Sequence, residues 1–416
     1  MDDPVMLFSG MLFLLLFAVL GFIFLVTVAA MLKRRRFLQV YEPHASVIIP
    51  VYNEEKNIGR CLEAIRENAY PKEKIEVLIV DDGSTDGTLS VAEKFSGVRI
   101  LRQQHKGKVE ALNLGLKEAI SDIVITIDAD VMIENDFIKN IVRPFSDPKV
   151  GAVSGAAKVA DADNMLSAYQ AIEYVYNSLI MDSFSRVFGT SFWFWGALAS
   201  FRKDVLLRVG GFSKSTETED FDIIMNIKKA GYKTLSIGNA VGRTHVPDGF
   251  APLFRQRMRW WKGTLQTLKK NKEMFRPRYG IVIMFLFFTQ LFWIFYSFLA
   301  IPVISYQIVY WLPYNMANAF DTFFYLFRWF NLVGPFYALY MIPQWGVSVS
   351  SIFGILSGVI TVLMITFSFV VFRERMSVRK LIGVFFYFPF TLLMNLMIVA
   401  GAVEYALNRG KGTFIK

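Results

Sequence analysis

The chain has 416 residues, of which 54% are hydrophobic and 16% aromatic, and its mean hydropathy is +0.39. This composition excludes an ordinary soluble enzyme and indicates a membrane protein. The net charge of +10 suits anionic lipid head groups and phosphorylated substrates, whereas nucleic acid is not an expected partner because no basic stripe interleaved with aromatic residues occurs. The single cysteine, Cys61, excludes an intramolecular disulfide and is expected at a core-facing position of a helix.

The first predicted element is a membrane anchor, because residues 6–32 contain no charged side chain and exceed the length of about 20 residues that crosses a bilayer. The basic run Lys33–Arg36 follows at once, so the positive-inside rule places this end of the anchor in the cytosol. A cleaved signal peptide is the competing interpretation, but the apolar stretch is too long and the basic run lies on the wrong side. We predict an uncleaved anchor at residues 1–36 and a cytosolic domain at residues 37–250.

The segment between residues 45 and 132 alternates strand patterns with helix patterns. Polar residues follow each predicted strand, and because the carboxyl ends of parallel strands share one edge of a sheet, these side chains should converge there. This alternation is typical of a nucleotide-binding α/β domain. The predicted strands are 45–50, 75–80 and 123–132, and the predicted helices are 58–65, with Asn53 as its N-cap, and 108–119.

Asp128 and Asp130 stand at the end of the third of these strands. Two carboxylates at positions i and i+2 can share a magnesium ion that also holds the phosphates of a nucleotide. Taken alone, an Asp-x-Asp triplet is more often a solvated turn or the start of a helix. The polar residues at the neighbouring strand ends, which suit an aromatic base and a ribose hydroxyl, favour a binding site.

The second half of the domain carries an aromatic run and an acidic run. A long helix is predicted over 163–187, and Ser191–Gly196 then contains four aromatic residues that belong either to the core or to a surface that stacks on sugar rings. Glu219 and Asp220 precede a further helix, where acidic residues normally match the helix dipole. Asp220 is nevertheless the carboxylate that we single out as a candidate for chemistry.

Residues 251–278 are predicted to hold an amphipathic, basic helix at the membrane surface, and residues 279–416 to form the C-terminal membrane region. A re-entrant hairpin or a further crossing near 321–343 stays open, and we favour an interfacial helix as the place of Arg328. The spanning candidates are 281–312, 351–372 and 381–403, and the tail beyond Glu404 is expected outside, although it carries Arg409, Lys411 and Lys416.

Six motifs occur in order along the chain and together resemble the membrane-embedded, processive glycosyltransferases of family 2, the group of cellulose, chitin, hyaluronan and poly-N-acetylglucosamine synthases. The resemblance covers the whole soluble domain and implies a GT-A fold, an α/β nucleotide-diphospho-sugar transferase domain, fused to an α-helical transmembrane region. It also implies an inverting transfer from a UDP-sugar. The motifs are Pro50–Glu55, Asp81–Ser84, Lys108–Asn113, Asp128–Asp130, Thr218–Asp220 and Gln256–Trp260.

The resemblance implies a role for each matching position. Asp220 is the general base, with Glu219 beside it in the catalytic pair. Asp128 and Asp130 face the ribose and the diphosphate, Asp130 through Mg²⁺ or Mn²⁺. His245 falls where some relatives place a third metal ligand, although a lone histidine is more often structural. The other implied residues are Pro50, Tyr52, Glu54, Asp81, Asp82 and Lys108 around the nucleotide, and Gln256, Arg259, Trp260 and Trp195 around the diphosphate and the acceptor sugar.

Three functions stay open at this point. The first is a synthase that extends a β-linked polysaccharide, similar to poly-N-acetylglucosamine, chitin or glucan, and exports it through its own membrane helices. The second is a transferase that adds one sugar to ceramide, diacylglycerol or a polyprenyl phosphate. The third, a scaffold without activity, is disfavoured because every expected catalytic position is filled. The expected partners are a UDP-sugar, a glycan or lipid-linked acceptor and membrane lipids, for a multi-pass protein of the cell membrane whose catalytic domain is cytosolic.

Overall fold

The computed structural model describes residues 4–33, 41–191, 193–310, 322–325, 327 and 331–408. The basic residues 34–36, Arg328 and the tail 409–416, on which parts of the membrane prediction rest, lie outside the described residues, as does Phe192 of the aromatic run.

In the described part of the chain, eight strands form one mixed sheet. In chain order they are β1 (Ala45–Val51), β2 (Ile75–Asp81), β3 (Val98–Arg102), β4 (Ile123–Ile127), β5 (Val131–Ile133), β6 (Val150–Val159), β7 (Leu198–Arg202) and β8 (Lys233–Thr244). Their order across the sheet is β3-β2-β1-β4-β7-β6-β8-β5. The strands β1 to β4 are parallel, whereas β7 is antiparallel to both of its neighbours. The carboxyl ends of the parallel strands therefore share one edge, as predicted.

Helices cover both faces of this sheet. They are α2 (Ile58–Glu67), α3 (Thr88–Ala92), α4 (Lys108–Glu118), α5 (Phe137–Val142), α6 (Met165–Phe188), α7 (Lys203–Arg208), α8 (Glu219–Lys229) and α9 (Phe250–Lys270). Side chains of α2 and α5 pack on one face and those of α4, α7 and α8 on the other. Because both faces are covered, β4 is buried along its whole length, which explains its uninterrupted apolar sequence.

Two local predictions were wrong. The helix after β1 begins at Ile58, so Asn53 is not its N-cap. Asn53 instead has a φ of 56°, which asparagine tolerates, and its Oδ1 accepts a hydrogen bond from Thr85 N at 2.8 Å, which ties the ends of β1 and β2 together. The strand predicted over 123–132 ends at Ile127, and residues 128–130 turn the chain into β5, which pairs with β8.

The remaining helices are α1 (Pro4–Leu32), α10 (Ile281–Tyr310), α11 (Val333–Trp345), α12 (Val349–Val371), α13 (Val378–Phe385) and α14 (Tyr387–Leu407). Among the described residues, α1, α10, α12 and α14 are long and apolar enough to cross a membrane. The stretch predicted as one span over 381–403 is interrupted at Phe386, where α13 ends and α14 begins.

Buried charges join the loop between α12 and α13 to the sheet. Glu374 Oε2 lies 3.6 Å from Lys158 Nζ on β6, and Glu374 also pairs with Lys380. Lys158 Nζ donates a further hydrogen bond to Phe372 O at 2.6 Å. Burial lowers the pKa of Lys158, although Glu134 and Glu374 oppose the shift. Pulling this loop away from the sheet would leave the buried charges of Lys158 and Glu374 uncompensated, which is strongly destabilising. These contacts therefore hold the loop, and with it the membrane helices, against the domain.

Candidate active site

A cavity of about 620 Å³ lies where the domain meets the helices α10 and α14. Many of the predicted site residues line it together, namely Lys108, Asp128, Asp130, Trp195, Glu219, Asp220, His245, Gln256, Arg259 and Trp260. The predicted residues Pro50, Tyr52, Glu54, Asp81 and Asp82 do not line this cavity and stand on the adjacent ends of β1 and β2.

Asp128 directly follows β4 and is paired with a lysine of another element. Lys108 Nζ, at the start of α4, lies 2.6 Å from Asp128 Oδ1 and 2.7 Å from its Oδ2. The same amine is 3.5 Å from Glu219 Oε1. Burial disfavours the charged amine, but the two carboxylates outweigh this and raise the pKa of Lys108. The lysine therefore links the Asp-x-Asp turn to the acidic pair at the start of α8.

Asp130 lies among negative neighbours. Burial, followed by the charges of Asp128 and Glu54, raises the pKa of its carboxyl to about 6. Lys108 and a hydrogen bond from Thr244 Oγ1 to Asp130 Oδ2, at 3.3 Å, act against this shift. A partly buried oxygen donor with negative neighbours has the chemistry of a ligand for a hard divalent cation.

The described residues contain no group of three His, Cys, Asp or Glu side chains that are arranged to hold a metal ion. His245 lines the same cavity as Asp128 and Asp130. The prediction that His245 completes a metal site therefore stays a prediction, and a cation held at the Asp-x-Asp turn needs further ligands, which the oxygens of a diphosphate can supply.

Asp220 is the second residue of α8 and lies against the backbone of the aromatic run. Its Oδ1 accepts a hydrogen bond from Phe221 N at 2.8 Å, and no side-chain capping bond occurs at this helix start. Burial and the adjacent Glu219 raise the pKa of the Asp220 carboxyl to about 6, whereas Lys108, the Phe221 N–H and Arg259 act in the opposite direction. A carboxyl group with this pKa is largely ionised at neutral pH and still a useful proton acceptor.

Helix α9 contributes the next wall of the site. Gln256 Oε1 is buried and accepts no hydrogen bond from the described residues, and Arg259 Nη1 donates to Glu217 O at 3.3 Å. The ring of Trp260 is held by the Arg257 guanidinium, which lies 4.4 Å from the ring centroid. Arg257 itself makes two hydrogen bonds to Glu173 of α6, at 3.0 and 2.6 Å.

The aromatic run was predicted to belong either to the core or to a surface that stacks on sugar rings, and Trp195 has features of both. Its ring packs against the core and lies 4.6 Å from the ring of Tyr174, and its Nε1 donates to Ser178 Oγ at 3.1 Å. The same side chain lines the cavity. Its predicted contact with a sugar stays a prediction.

Asp82 is enclosed by donors of the loop before α4. Its Oδ1 accepts from Gln103 Nε2 at 2.6 Å and from Lys106 N at 2.8 Å, while its Oδ2 accepts from Gly107 N at 2.8 Å and lies 2.9 Å from His105 Nδ1. Burial opposes ionisation, but these hydrogen bonds outweigh it and lower the pKa of Asp82. The carboxylate therefore fixes residues 103–107.

The ring of His105 packs against the half-exposed ring of Tyr52, with 4.1 Å between the ring centroids and a tilt of 31° between the ring planes. Together these two rings form an aromatic surface at the end of β1, and Asp82 holds its histidine in place. Asp81 accepts a hydrogen bond from Ser84 N at 3.0 Å and closes the turn after β2.

Sequence reasoning missed His105, Arg257 and the ion pair between Lys262 and Glu217. His105 stands in the polar run 103–108, of which only Lys108 belongs to one of the six motifs. Arg257 lies inside the motif of α9, and Lys262 is the second residue after that motif. Their partners are distant in sequence, so no local pattern identifies the pairs.

Residues 46–210 match the model of glycosyl transferase family 2. These residues form a family 2 glycosyltransferase domain. The matched segment carries the Asp-x-Asp turn and the aromatic run, whereas Asp220 and α9 lie beyond it. The recognition of this family from its motifs is thereby confirmed for the glycosyltransferase domain.

Curated relatives include two enzymes named poly-β-1,6-N-acetyl-D-glucosamine synthase. The Staphylococcus aureus protein is 28% identical over 229 residues, which are 54% of this chain and 55% of the relative. The Staphylococcus epidermidis protein is 27% identical over 246 residues, which are 57% of this chain and 59% of the relative. The chain thus spans little more than half the length of the curated relatives that it matches.

A solved structure is similar over nearly the whole chain. It is the mannosyltransferase PcManGT from Pyrobaculum calidifontis in complex with GDP-Man and Mn²⁺, with a TM-score of 0.60, 21% identity, and coverage of 96% of this chain and 99% of that chain. This likeness shows the fold, and it extends beyond the glycosyltransferase domain to the C-terminal helices. The predicted fold class, a GT-A domain fused to a helical membrane region, is confirmed.

Proposed function

We propose that the chain is an inverting glycosyltransferase that extends a β-linked polysaccharide from a UDP-sugar at the membrane. The observation that carries this proposal is the cavity, in which the catalytic carboxylates and the aromatic residues of the domain share one space with side chains of two membrane helices. The relatives' name makes an N-acetylglucosamine donor the first to test.

The donor site is proposed at the ends of β1, β2 and β4. The paired rings of Tyr52 and His105 offer a surface on which a nucleobase can stack, and Glu54 and Asp81 stand beside it. The diphosphate then extends toward Lys108 and the Asp-x-Asp turn. Gln256 and Arg259 approach from α9 and complete the polar lining of this part of the cavity.

Asp130 and Asp128 are the residues that we propose to hold Mg²⁺ or Mn²⁺. The fit rests on the partly buried carboxyl of Asp130, whose pKa is raised to about 6 by burial and by its negative neighbours. When bound, such an ion would neutralise charge that develops on the diphosphate leaving group.

The proposed chemistry is a single displacement at the anomeric carbon of the donor sugar. Asp220 accepts the proton of an acceptor hydroxyl, the hydroxyl oxygen forms the new bond to the anomeric carbon, and the bond to the diphosphate breaks on the opposite face. Arg259 and Lys108 bring positive charge to the leaving diphosphate. Glu219 keeps Lys108 close to this site. An α-linked donor therefore yields a β-linkage.

The acceptor is proposed to lie over Trp260 and to continue toward the membrane helices. Thr289, Gln290 and Trp293 of α10 line the cavity beyond Trp260, and Thr391 and Asn395 of α14 line it from the other side. A mixture of aromatic faces and hydrogen-bonding groups suits a carbohydrate chain, because sugars have both apolar faces and hydroxyl groups. This lining favours a polysaccharide over an acyl chain.

The proposed topology places the domain in the cytosol of a multi-pass protein, with residues 37–250 as the catalytic unit and residues 251–278 at the membrane surface. Two contacts support it. Lys33 Nζ, just after α1, donates to Val187 O at 3.0 Å, and the loop after α12 is paired with Lys158. The ends of two apolar helices therefore meet the domain on one side of the bundle.

The test uses the purified full chain in nanodiscs with Mg²⁺ and a panel of radiolabelled UDP-sugars and GDP-mannose, with and without added lipid acceptor. We expect a high-molecular-weight, β-linked polymer from one UDP-sugar without added lipid. A single organic-soluble product would replace this proposal by transfer to a lipid. If no sugar were transferred from any donor in the presence of Mg²⁺ or Mn²⁺, the proposed activity would be refuted.

A further inference from the structure

One face of α9 is in contact with residues 215–222, the segment that carries Glu219 and Asp220. Along this face, Lys262 Nζ lies 3.0 Å from Glu217 Oε1, and Gln266 Oε1 accepts a hydrogen bond from Glu217 N at 2.8 Å. The contacting residues of α9 are Arg259, Lys262, Gly263, Gln266 and Lys270, which follow the three- and four-residue spacing of one helix face.

Lys262 is buried far more than a lysine usually is. Its side chain is 1% exposed, whereas that of Glu217 is 30% exposed. Taking an ammonium group out of water is unfavourable unless a partner compensates it, so this pair is expected to be retained for a specific arrangement and not for general stability. In the described part of the chain, Glu217 is the carboxylate that pairs with Lys262.

Next to this ion pair, Gly263 of α9 lies directly against Thr218. A Cβ on Gly263 would stand 2.5 Å from Thr218 Oγ1 and 2.8 Å from Thr218 N, so the two backbones are in direct contact. Thr218 is the residue immediately before α8, and Asp222 of the same segment is 2.8 Å from Lys270 Nζ. The start of α8 is therefore fixed by α9 at both ends of residues 217–222.

We propose that Lys262 is a positioning residue for the transferase reaction. Its ion pair with Glu217 sets the place of the segment 217–220 and thereby the direction of the Asp220 carboxylate toward the acceptor hydroxyl. Lys262 does not contact the reacting atoms in this role. The inference rests on the proposed function of Asp220 as the general base.

The test compares Lys262→Met, which keeps the length of the side chain and removes its charge, with Lys262→Arg, which keeps the charge. We expect Lys262→Met to lower kcat by about 10- to 100-fold, because a displacement of about 1 Å is enough for such a loss, while the Kd for UDP stays within about twofold. Lys262→Arg should recover most of the rate. The matched control is Lys269→Met, since Lys269 is an exposed lysine in the last turn of α9.

The double variant Lys262→Met/Glu217→Gln leaves no buried charge without its partner and guards against simple misfolding. It should show the same loss of kcat with a Tm close to that of the wild-type protein. Full kcat in this double variant, or a parallel loss of UDP affinity in Lys262→Met, would overturn the positioning role.

Hydrogen–deuterium exchange separates this inference from the proposed function. Residues 215–222 should exchange faster in Lys262→Met than in Lys269→Met, and this measurement needs no turnover. If the wild-type protein transferred no sugar, the proposed function would fail, whereas exchange would still report on the contact. Unchanged exchange together with lost activity would show that Lys262 acts in some other way.

Discussion

Gly196 and Asp220 are in direct contact: a Cβ on residue 196 would stand 2.5 Å from Asp220 Cβ. The glycine that ends the aromatic run therefore makes room for the proposed base. No L-amino acid with a side chain fits at this position unless Asp220 moves.

Gly196→Ala is accordingly expected to lower kcat by about two orders of magnitude, because the added methyl group displaces the carboxylate from the acceptor. Affinity for UDP should change little. The control is Gly21→Ala in α1, since no atom lies within 4 Å of a Cβ built at Gly21. Equal rates for both variants would contradict the assigned contact.

Asp220→Asn should lower the rate of sugar transfer by about two or more orders of magnitude, because an amide cannot accept the proton of the acceptor hydroxyl. Binding of UDP, measured by calorimetry, should survive, since the nucleotide site is proposed at the ends of other strands. A collapse of UDP affinity would remove Asp220 from the role of base and place it in the donor site.

The pH dependence of kcat is expected to follow Asp220. Its pKa is raised to about 6, chiefly by burial and by Glu219, and only the ionised form accepts a proton. At saturating donor, kcat should therefore be constant above this pKa and fall by about tenfold for each pH unit below it. Asp130 also has a pKa raised to about 6, so UDP affinity must be measured at each pH to separate donor binding from the chemical step. A kcat independent of pH between 5 and 7 would argue against Asp220 as the base.

Trp260→Ala should shorten the product, because the acceptor sugar loses the ring on which it is proposed to stack. Trp260→Phe keeps an aromatic face and should retain longer products. Both variants should keep UDP affinity, which serves as the internal control. Products of wild-type length from the alanine variant would place the acceptor elsewhere in the cavity.

Glu374→Gln should destabilise the contact between the membrane helices and the domain by about 3 kcal/mol, because Lys158 is left with the more distant Glu134, at 4.0 Å, and Lys380 also loses this carboxylate. The measurement is the Tm of the full chain in detergent. Glu273→Gln removes an ion pair whose partner, Lys229, is half-exposed, and should leave the Tm nearly unchanged. Similar Tm values for the two variants would show that the buried pair has no special weight.

Local patterns in the sequence predicted the architecture of the site well. Parallel strands place their carboxyl ends on one edge, so the residues after β1, β2 and β4 converge whatever the details of the loops. The apolar run of β4 and the charge-free stretch of α1 depend on burial or membrane length alone, and such patterns can be recognised without a partner.

Contacts between distant residues were not predictable in the same way. Lys158 and Glu374 are 216 positions apart, and lysine and glutamate side chains are usually on the surface. Neither residue therefore indicates from its own position that it belongs to a buried pair. The pairing of Arg257 with Glu173 likewise arises only when the fold brings α9 near α6. The wrong N-cap at Asn53 has a local cause, because asparagine serves both helix starts and left-handed turns, and the loop to Thr85 selected the turn.

Helix α9 is packed closely against a membrane helix. Trp260 and Trp261 both line the cavity, and Trp261 also lies so close to α14 that a Cβ on Gly401 would stand 2.9 Å from the Cβ of Trp261. A water-soluble fragment cut after residue 250 would retain the Asp-x-Asp turn but lose the wall formed by Gln256, Arg259 and Trp260. The isolated globular domain is therefore not expected to be active, and a preparation meant to be active has to keep α9 together with the membrane helices against which it is packed.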